Sequence, residues 1–181
     1  MKQEAELRFW QGESRNIEDH DLTRYPRHLM LPADFFTGMR VLDVGCGPIP
    51  YASAFTGCNM WGIDPLLEGY REAGYDLSRM TYICAPAERM PFDDGFFDAV
   101  ISMNALDHVD DFDKTAAEIR RVAKHLIHLE VHYHEPTVCE PHRLDDDRMR
   151  SAFPGMNKLV ETPYDAYYPG ARGSVAVWTS L

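Results

Sequence analysis

The 181-residue sequence predicts an α/β domain, a mostly parallel sheet with helices on both faces. Three observations carry that expectation. Apolar runs recur at residues 39–44, 60–63, 80–84 and 96–103, with strand–helix spacing between them. Polar residues stand at or near the carboxyl ends of these runs, notably Asp43, Asp64 and Asn104. The first run then breaks into Gly45 and Gly47, where a backbone without Cβ atoms can bend sharply and admit a close neighbour.

Each element follows from its local sequence. Residues 1–37 begin with helical composition (Glu4 to Trp10) and continue through a mixed piece, 17–31; neither reads as a strand. The run 39–44 suits a strand buried on both faces, and Pro50 can open a helix of about two turns after the glycines. Asp93, Asp94 and Gly95 make a turn before the long apolar run, in which Asp98 caps or pairs near the strand start. Asp110, Asp111 and Asp113 are cap candidates for a helix over 114–123, with Ala116, Ile119 and Val122 on one stripe. A fifth strand is expected over 125–134. A capped helix from Asp145 to Phe153 then stops at Pro154 and Gly155. Strands over 156–161 and 174–179 close the chain around an aromatic loop holding Tyr164, Tyr167, Tyr168, Pro169 and Arg172. The expectation is a single domain, 1–181, with a helical segment (1–37) before the core (38–181).

Composition narrows the function. A net charge of −11 argues against non-specific nucleic-acid binding, which needs clustered Lys and Arg. It suits a neutral or cationic small ligand, and it also simply keeps a protein in solution. Cys46, Cys58, Cys84 and Cys139 lack metal-ligand spacing, and the first three lie in or beside apolar runs, as small fillers do. A reducing cytoplasm is the expected compartment, and with no apolar stretch near 18 residues no membrane partner is expected. Oligomeric state is not legible.

Strand, glycine turn and helix form the geometry of a nucleotide-like cofactor site. The run from Gly45 reads G-C-G-P-I-P, which lacks the third glycine of the dinucleotide fingerprint and the lysine of a phosphate loop. Twenty-one positions after Asp43, Asp64 ends the second run, where a carboxylate can accept both hydroxyls of a ribose. The arrangement Asp43-Val-Gly45-Cys-Gly47 resembles motif I of the class I S-adenosylmethionine-dependent methyltransferases, and Asp64 matches their motif II. Ala87, Pro91 and Phe92 resemble a further family stretch, in which Pro86 here replaces an acid. Phe97-Asp98-Ala-Val100 resembles the motif IV strand. The resemblance covers residues 39 to about 123.

That resemblance implies a Rossmann-like, seven-stranded sheet in the order 3-2-1-4-5-7-6, with strand 7 antiparallel, and S-adenosylmethionine as cofactor. It implies contacts to the cofactor from Asp43, Gly45, Cys46, Gly47, Asp64, Pro65 and Leu66. Ala87, by its backbone, or Glu88 would meet the adenine, and Met103 and Asn104 the ammonium of the methionine moiety. The N-terminal segment would lie across the site, making Trp10, Tyr25 and Arg27 candidates for the substrate wall, unless Trp10 and Tyr25 only fasten the segment. A small-molecule acceptor with an O, N or C nucleophile is expected. His108 is the first candidate for its general base, with His132 and His134 in reserve.

The remaining signal is histidine. His128, Glu130, His132 and His134 alternate along the fifth strand, followed by Glu140 and His142. They are read as polar walls of the substrate cavity, as loop residues, or as metal ligands. No helical H-x-x-x-H is present, and no metal is assigned. A non-catalytic binding or regulatory subunit and a metal-dependent enzyme using the 128–142 cluster are the alternative readings.

Overall fold

The computed structural model describes residues 2–155, 157–163 and 172–179. One seven-stranded sheet runs in the order β3-β2-β1-β4-β5-β7-β6. Its strands are β1 (Arg40–Val44), β2 (Asn59–Ile63), β3 (Thr81–Ile83), β4 (Phe97–Met103), β5 (Ala123–Tyr133), β6 (Asn157–Pro163) and β7 (Arg172–Thr179). The first five pair in parallel, and β7 lies antiparallel between β5 and β6. The order reverses beside β1, which has β2 on one side and β4 on the other. In open α/β sheets, the crevice for a ligand lies at the carboxyl ends of such strands.

The core follows from strand alternation. Leu42, Val44 and Val100 point to one face and, with Phe97 at the start of β4, pack with Phe112, Ile119 and Val122 of α4 (Phe112–Val122) and Met149 of α5 (Asp146–Ala152). Val41, Ala99 and Ile101 point to the other and pack with Tyr25 of α2 (Arg24–His28), Leu29, Phe36 and Phe55. A third cluster joins α1 (Lys2–Gly12) to α3 (Leu67–Glu72) through Leu7, Trp10, Leu67 and Tyr70.

Polar groups fix the edges of these layers. Asp98 accepts a hydrogen bond from the Arg40 N–H at 2.9 Å, so it pairs near the strand start as its position predicted. The Ser102 hydroxyl, fully buried, donates to the Val44 carbonyl at 2.8 Å and ties β4 to β1. Asp111 caps α4 by accepting from the Lys114 N–H at 3.1 Å, and Asp145 caps α5 through the Arg148 N–H at 2.8 Å. Arg121 closes the preceding loop, donating to the Met90 and Phe92 carbonyls and pairing with Asp94 and Glu118.

Several expectations are corrected. The stretch after Pro50 is a single 3₁₀ turn, Tyr51–Ala54, not two helical turns. Ala52 and Phe55 are already buried there, and Gly57 (φ +71°) turns the chain into β2 before a second turn can form. α4 begins two residues early because Asp111, not Asp113, is its cap. Cys84 is exposed rather than a filler. Arg172 opens β7 instead of belonging to the aromatic loop, whose Tyr164, Tyr167, Tyr168 and Pro169 lie outside the described residues. Among the described residues, no helix is long and apolar enough to cross a membrane.

Ile119 is fully buried at the centre of the α4–sheet layer. Ile119→Ala is expected to cost about 2–5 kcal/mol of unfolding free energy, measured by urea denaturation with an unchanged slope. A loss under about 1 kcal/mol would mean that this layer is not close-packed.

Candidate active site

A cavity of about 590 Å³ opens at the carboxyl ends of β1, β2 and β4, a size ordinary for a small-molecule or cofactor site. Its floor is the turn after β1. Gly45 adopts φ +71° and Gly47 φ +59°, a region in which side chains are disfavoured. A Cβ on Gly45 would stand 2.4 Å from Cβ of Ala105, so the loop after β4 can close on this turn only because residue 45 has none. The Gly45 and Cys46 N–H groups both donate to the Ile63 carbonyl, at 2.9 and 3.3 Å.

Asp64, just past β2, is buried and lines the cavity. Its two oxygens accept from the Leu66 N–H at 2.9 Å and the Gly47 N–H at 3.1 Å. Burial pushes its pKa up to about 6, while those two N–H groups hold it back. Asp43 lies beneath the turn, about 1% exposed, facing the Tyr25 hydroxyl. Burial raises its pKa well above the usual carboxylate range, and neither oxygen is within hydrogen-bonding geometry of a partner. Asn104 sits at φ +49° just beyond β4, its N–H bonded to the Glu130 carbonyl at 3.2 Å and its side-chain oxygen buried without a partner.

The roof is α1. Lys2, Glu6, Phe9 and Trp10 face the cavity. Lys2 Nζ donates to the His108 carbonyl at 2.6 Å and pairs with Asp110, while Trp10 Nε1 donates to Glu6 at 3.0 Å. The Tyr75 hydroxyl donates to the Trp10 carbonyl, and Gly69 leaves room for Leu7, which a Cβ there would meet at 2.7 Å. Behind the roof, Tyr25 stacks on Tyr51 with ring centres 5.6 Å apart, and both line the cavity.

Most of the residues predicted from sequence meet here. Gly45, Cys46, Gly47, Asp64, Pro65, Leu66, Ala87, Glu88, Met103, Asn104, Trp10, Tyr25, His108 and His132 all line the cavity. Asp43 supports it from below. The Glu88 carboxylate is engaged elsewhere, accepting from the Asp110 and Asp111 N–H groups at 2.6 and 3.1 Å. Arg27 is a correction: it points to solvent and pairs with Asp21 at 2.9 Å, because a five-residue helix that buries Tyr25 turns Arg27 outward. His142 is another, its Nε2 set against the Val109 carbonyl at 3.0 Å and its ring beside Phe112.

The candidate histidines sit in different environments. His132 is buried at the cavity wall with Nε2 at 2.9 Å from Glu130. His128, on the same strand, lies inside the sheet and does not reach the cavity; burial lowers its pKa to about 4. His134 does not line the cavity either, its Nε2 being 2.8 Å from Asp107. Burial opposes a charge on His108, but hydrogen bonding to Glu6 and the nearby Asp107 and Glu140 outweigh it and raise its pKa. Sequence reasoning missed Lys2, Glu6 and Asp107. The i, i+4 spacing of Glu6 and Trp10 on one helix face was the only local signal for the first two.

Residues 42–126 match the family model described as "Methyltransferase domain". The sterol 24-C-methyltransferase of Kluyveromyces lactis is 30% identical over 126 residues, which cover 65% of this chain and 33% of that protein. This chain thus spans about a third of the length of the curated relatives it matches. Among solved structures, a protein described as a methyltransferase, in complex with the Haloferax volcanii Trm112 methyltransferase activator, superposes with a TM-score of 0.69 at 21% identity. That likeness covers 95% of this chain and 97% of the other. The Burkholderia thailandensis 1,6-didemethyltoxoflavin-N1-methyltransferase, solved with S-adenosylhomocysteine, gives 0.61 at 14% identity over 94% of this chain and 80% of that one. The solved structures establish a Rossmann-like methyltransferase fold. The sequence match over residues 42–126 and the Asp43–Gly47 turn make this chain similar to the class I S-adenosylmethionine-dependent methyltransferases.

Gly45→Ala is expected to distort the floor, combining a left-handed backbone cost of about 1–2 kcal/mol with the clash against Ala105. The measurement is the thermal unfolding midpoint. A midpoint equal to that of the unaltered protein would show that the turn has room for a Cβ.

Proposed function

We propose that the cavity binds S-adenosylmethionine and that the chain transfers its methyl group to a small-molecule oxygen, nitrogen or carbon nucleophile. The observation carrying this reading is the Asp64 carboxylate, held at the end of β2 by two backbone N–H groups and turned into a cavity of cofactor size. Each carboxylate oxygen has a further lone pair, so Asp64 can accept both ribose hydroxyls while keeping the Gly47 and Leu66 bonds.

The other residues fit the same ligand. The Gly45–Gly47 turn gives the close backbone approach that a nucleoside needs. The unpartnered Asn104 oxygen is an acceptor for an ammonium, with the buried Asp43 carboxylate beneath the same turn. Pro65 and Leu66 offer an apolar face to the adenine, and the Ala87 backbone, rather than the Glu88 carboxylate, meets its ring edge. A bound sulfonium supplies an already electrophilic methyl, so the protein's part is alignment, worth up to about 7–11 kcal/mol of barrier. Trp10, Tyr25 and the α1 roof exclude water. His132, fixed by Glu130, is the histidine we assign to hydrogen-bonding the acceptor.

A small neutral or cationic acceptor suits a wall carrying Glu6, Glu88, Asp110 and Glu140. A net charge of −11 disfavours nucleic acid as substrate. The free cysteines suit a reducing compartment, the cytoplasm.

Calorimetry with S-adenosylhomocysteine tests the reading. Asp64→Asn is expected to weaken binding about tenfold or more, equivalent to about 1.4 kcal/mol, in a variant shown to be folded by circular dichroism. Absence of binding by the unaltered protein would refute the assignment. The pH dependence has a definite sign. Asp64 has a folded pKa of about 6 against an ordinary 3.8, so its contribution to the free protein's stability is fully present below 3.8 and is lost as pH rises through 6. Cofactor binding needs the carboxylate as acceptor. Affinity for S-adenosylhomocysteine is therefore expected to rise as pH passes 6 and then level off, a rise that Asp64→Asn abolishes.

A further inference from the structure

At one wall of the cavity, four side chains from two segments converge. Asp107 and His108 follow β4, and His134 and Glu140 follow β5. Asp107, His134 and Glu140 each present one donor atom, all within 4.8 Å of one another. His134 Nε2 lies 2.8 Å from one Asp107 oxygen and 3.9 Å from one Glu140 oxygen. His108 Nε2 lies 3.6 Å from the other Glu140 oxygen and 3.9 Å from the other Asp107 oxygen. Nitrogen and oxygen donors about 2.0–2.1 Å from a tetrahedral ion stand about 3.4 Å apart, and the separations of His134 from Asp107 and Glu140 lie on either side of that value, while His108 faces the opposite oxygen of each carboxylate.

The outer contacts point the same way. Both imidazoles direct Nε2 inward and have Nδ1 engaged elsewhere. His134 Nδ1 is 2.8 Å from the Glu135 carbonyl, and His108 Nδ1 is 3.5 Å from Glu6. Metal-ligating histidines are oriented in this way, with the second ring nitrogen donating to a carbonyl or carboxylate. Glu140 is likewise held: its carboxylate accepts from the Thr137 hydroxyl at 2.9 Å, and its N–H donates back to that hydroxyl at 3.0 Å. Asp107 is about 1% exposed and presents its carboxylate to His134 Nε2.

We infer that Asp107, His134 and Glu140, with His108 as fourth donor, form a site for one divalent first-row metal ion of the zinc class. Two imidazoles and two carboxylates are an ordinary donor set for such an ion. His108 and Glu140 line the cavity, so the ion stands at its wall and pins the segment after β5 to the loop after β4. The inference is independent of the cofactor reading, because none of the four residues is assigned to the cofactor.

The test uses the full chain, stripped with a chelator and freed of it. Zinc titration by calorimetry is expected to give one equivalent per chain, and cobalt substitution the visible bands of tetrahedral cobalt. His134→Gln and Glu140→Gln are each expected to weaken zinc binding about tenfold or more and to remove those bands. His142→Gln, which alters a histidine outside the group, retains both. Circular dichroism and S-adenosylhomocysteine affinity report whether each variant is folded. Glu140, on a partly exposed segment, carries the test if His134→Gln does not fold. Failure of the unaltered chain to bind zinc, or equal binding by the folded Glu140→Gln variant, would overturn the inference, whatever the cofactor result.

Discussion

Two hydrogen bonds to one carboxylate hold the centre of this molecule together. Asp64 accepts from Gly47 in the turn after β1 and from Leu66 in the turn after β2, so the two strand–helix connections are fixed to each other at the sheet's carboxyl edge. The arrangement carries a cost. Taking that carboxylate out of water raises its pKa, and the free protein gives up stability to keep it charged. A buried acid with acceptor capacity to spare thus stands at the point where strand order reverses.

The same trade recurs around the cavity. Asp43 is buried without a hydrogen-bond partner, and Asn104 sits in the left-handed region with its side-chain oxygen unpartnered. Each is a local departure from a satisfied core, and each lies at or directly under the floor. The aliphatic and aromatic layers on both faces of the sheet absorb these departures, since β4 is buried almost throughout and packs against elements on either side. Stability is concentrated in the layers, and polar exceptions are concentrated at one edge.

The roof follows a different logic. α1 has a weakly amphipathic sequence and buries no residue completely, so little in its own composition holds it in place. It is held instead by specific contacts: Leu7 over Gly69, the Tyr75 hydroxyl on the Trp10 carbonyl, and Lys2 on the His108 carbonyl and Asp110. Glu6 links it to His108, so the helix that covers the cavity also touches the histidine and carboxylate group at its wall. Roof and wall are therefore electrostatically coupled.

Wherever chemistry is local, the sequence was sufficient. Continuous apolar runs, the paired glycines and the acid 21 positions on are near-neighbour signals, and from them came the strands, the floor and the role proposed for Asp64. Short-range competition misled in a few places: Pro50 suggested a helix that Gly57 cuts short, and Arg27 looked like a wall residue until the burial of Tyr25 turned it outward. What no local pattern contained was the meeting of Asp107 and His108 with His134 and Glu140, or of Glu6 with His108. Those residues lie tens to about a hundred positions apart, and they meet only because parallel β4 and β5 deliver their carboxyl ends side by side while α1 folds across them. Alternation along β5 had grouped its histidines by face. The tertiary structure separated them instead by depth, because a strand that crosses a whole domain passes from core to rim.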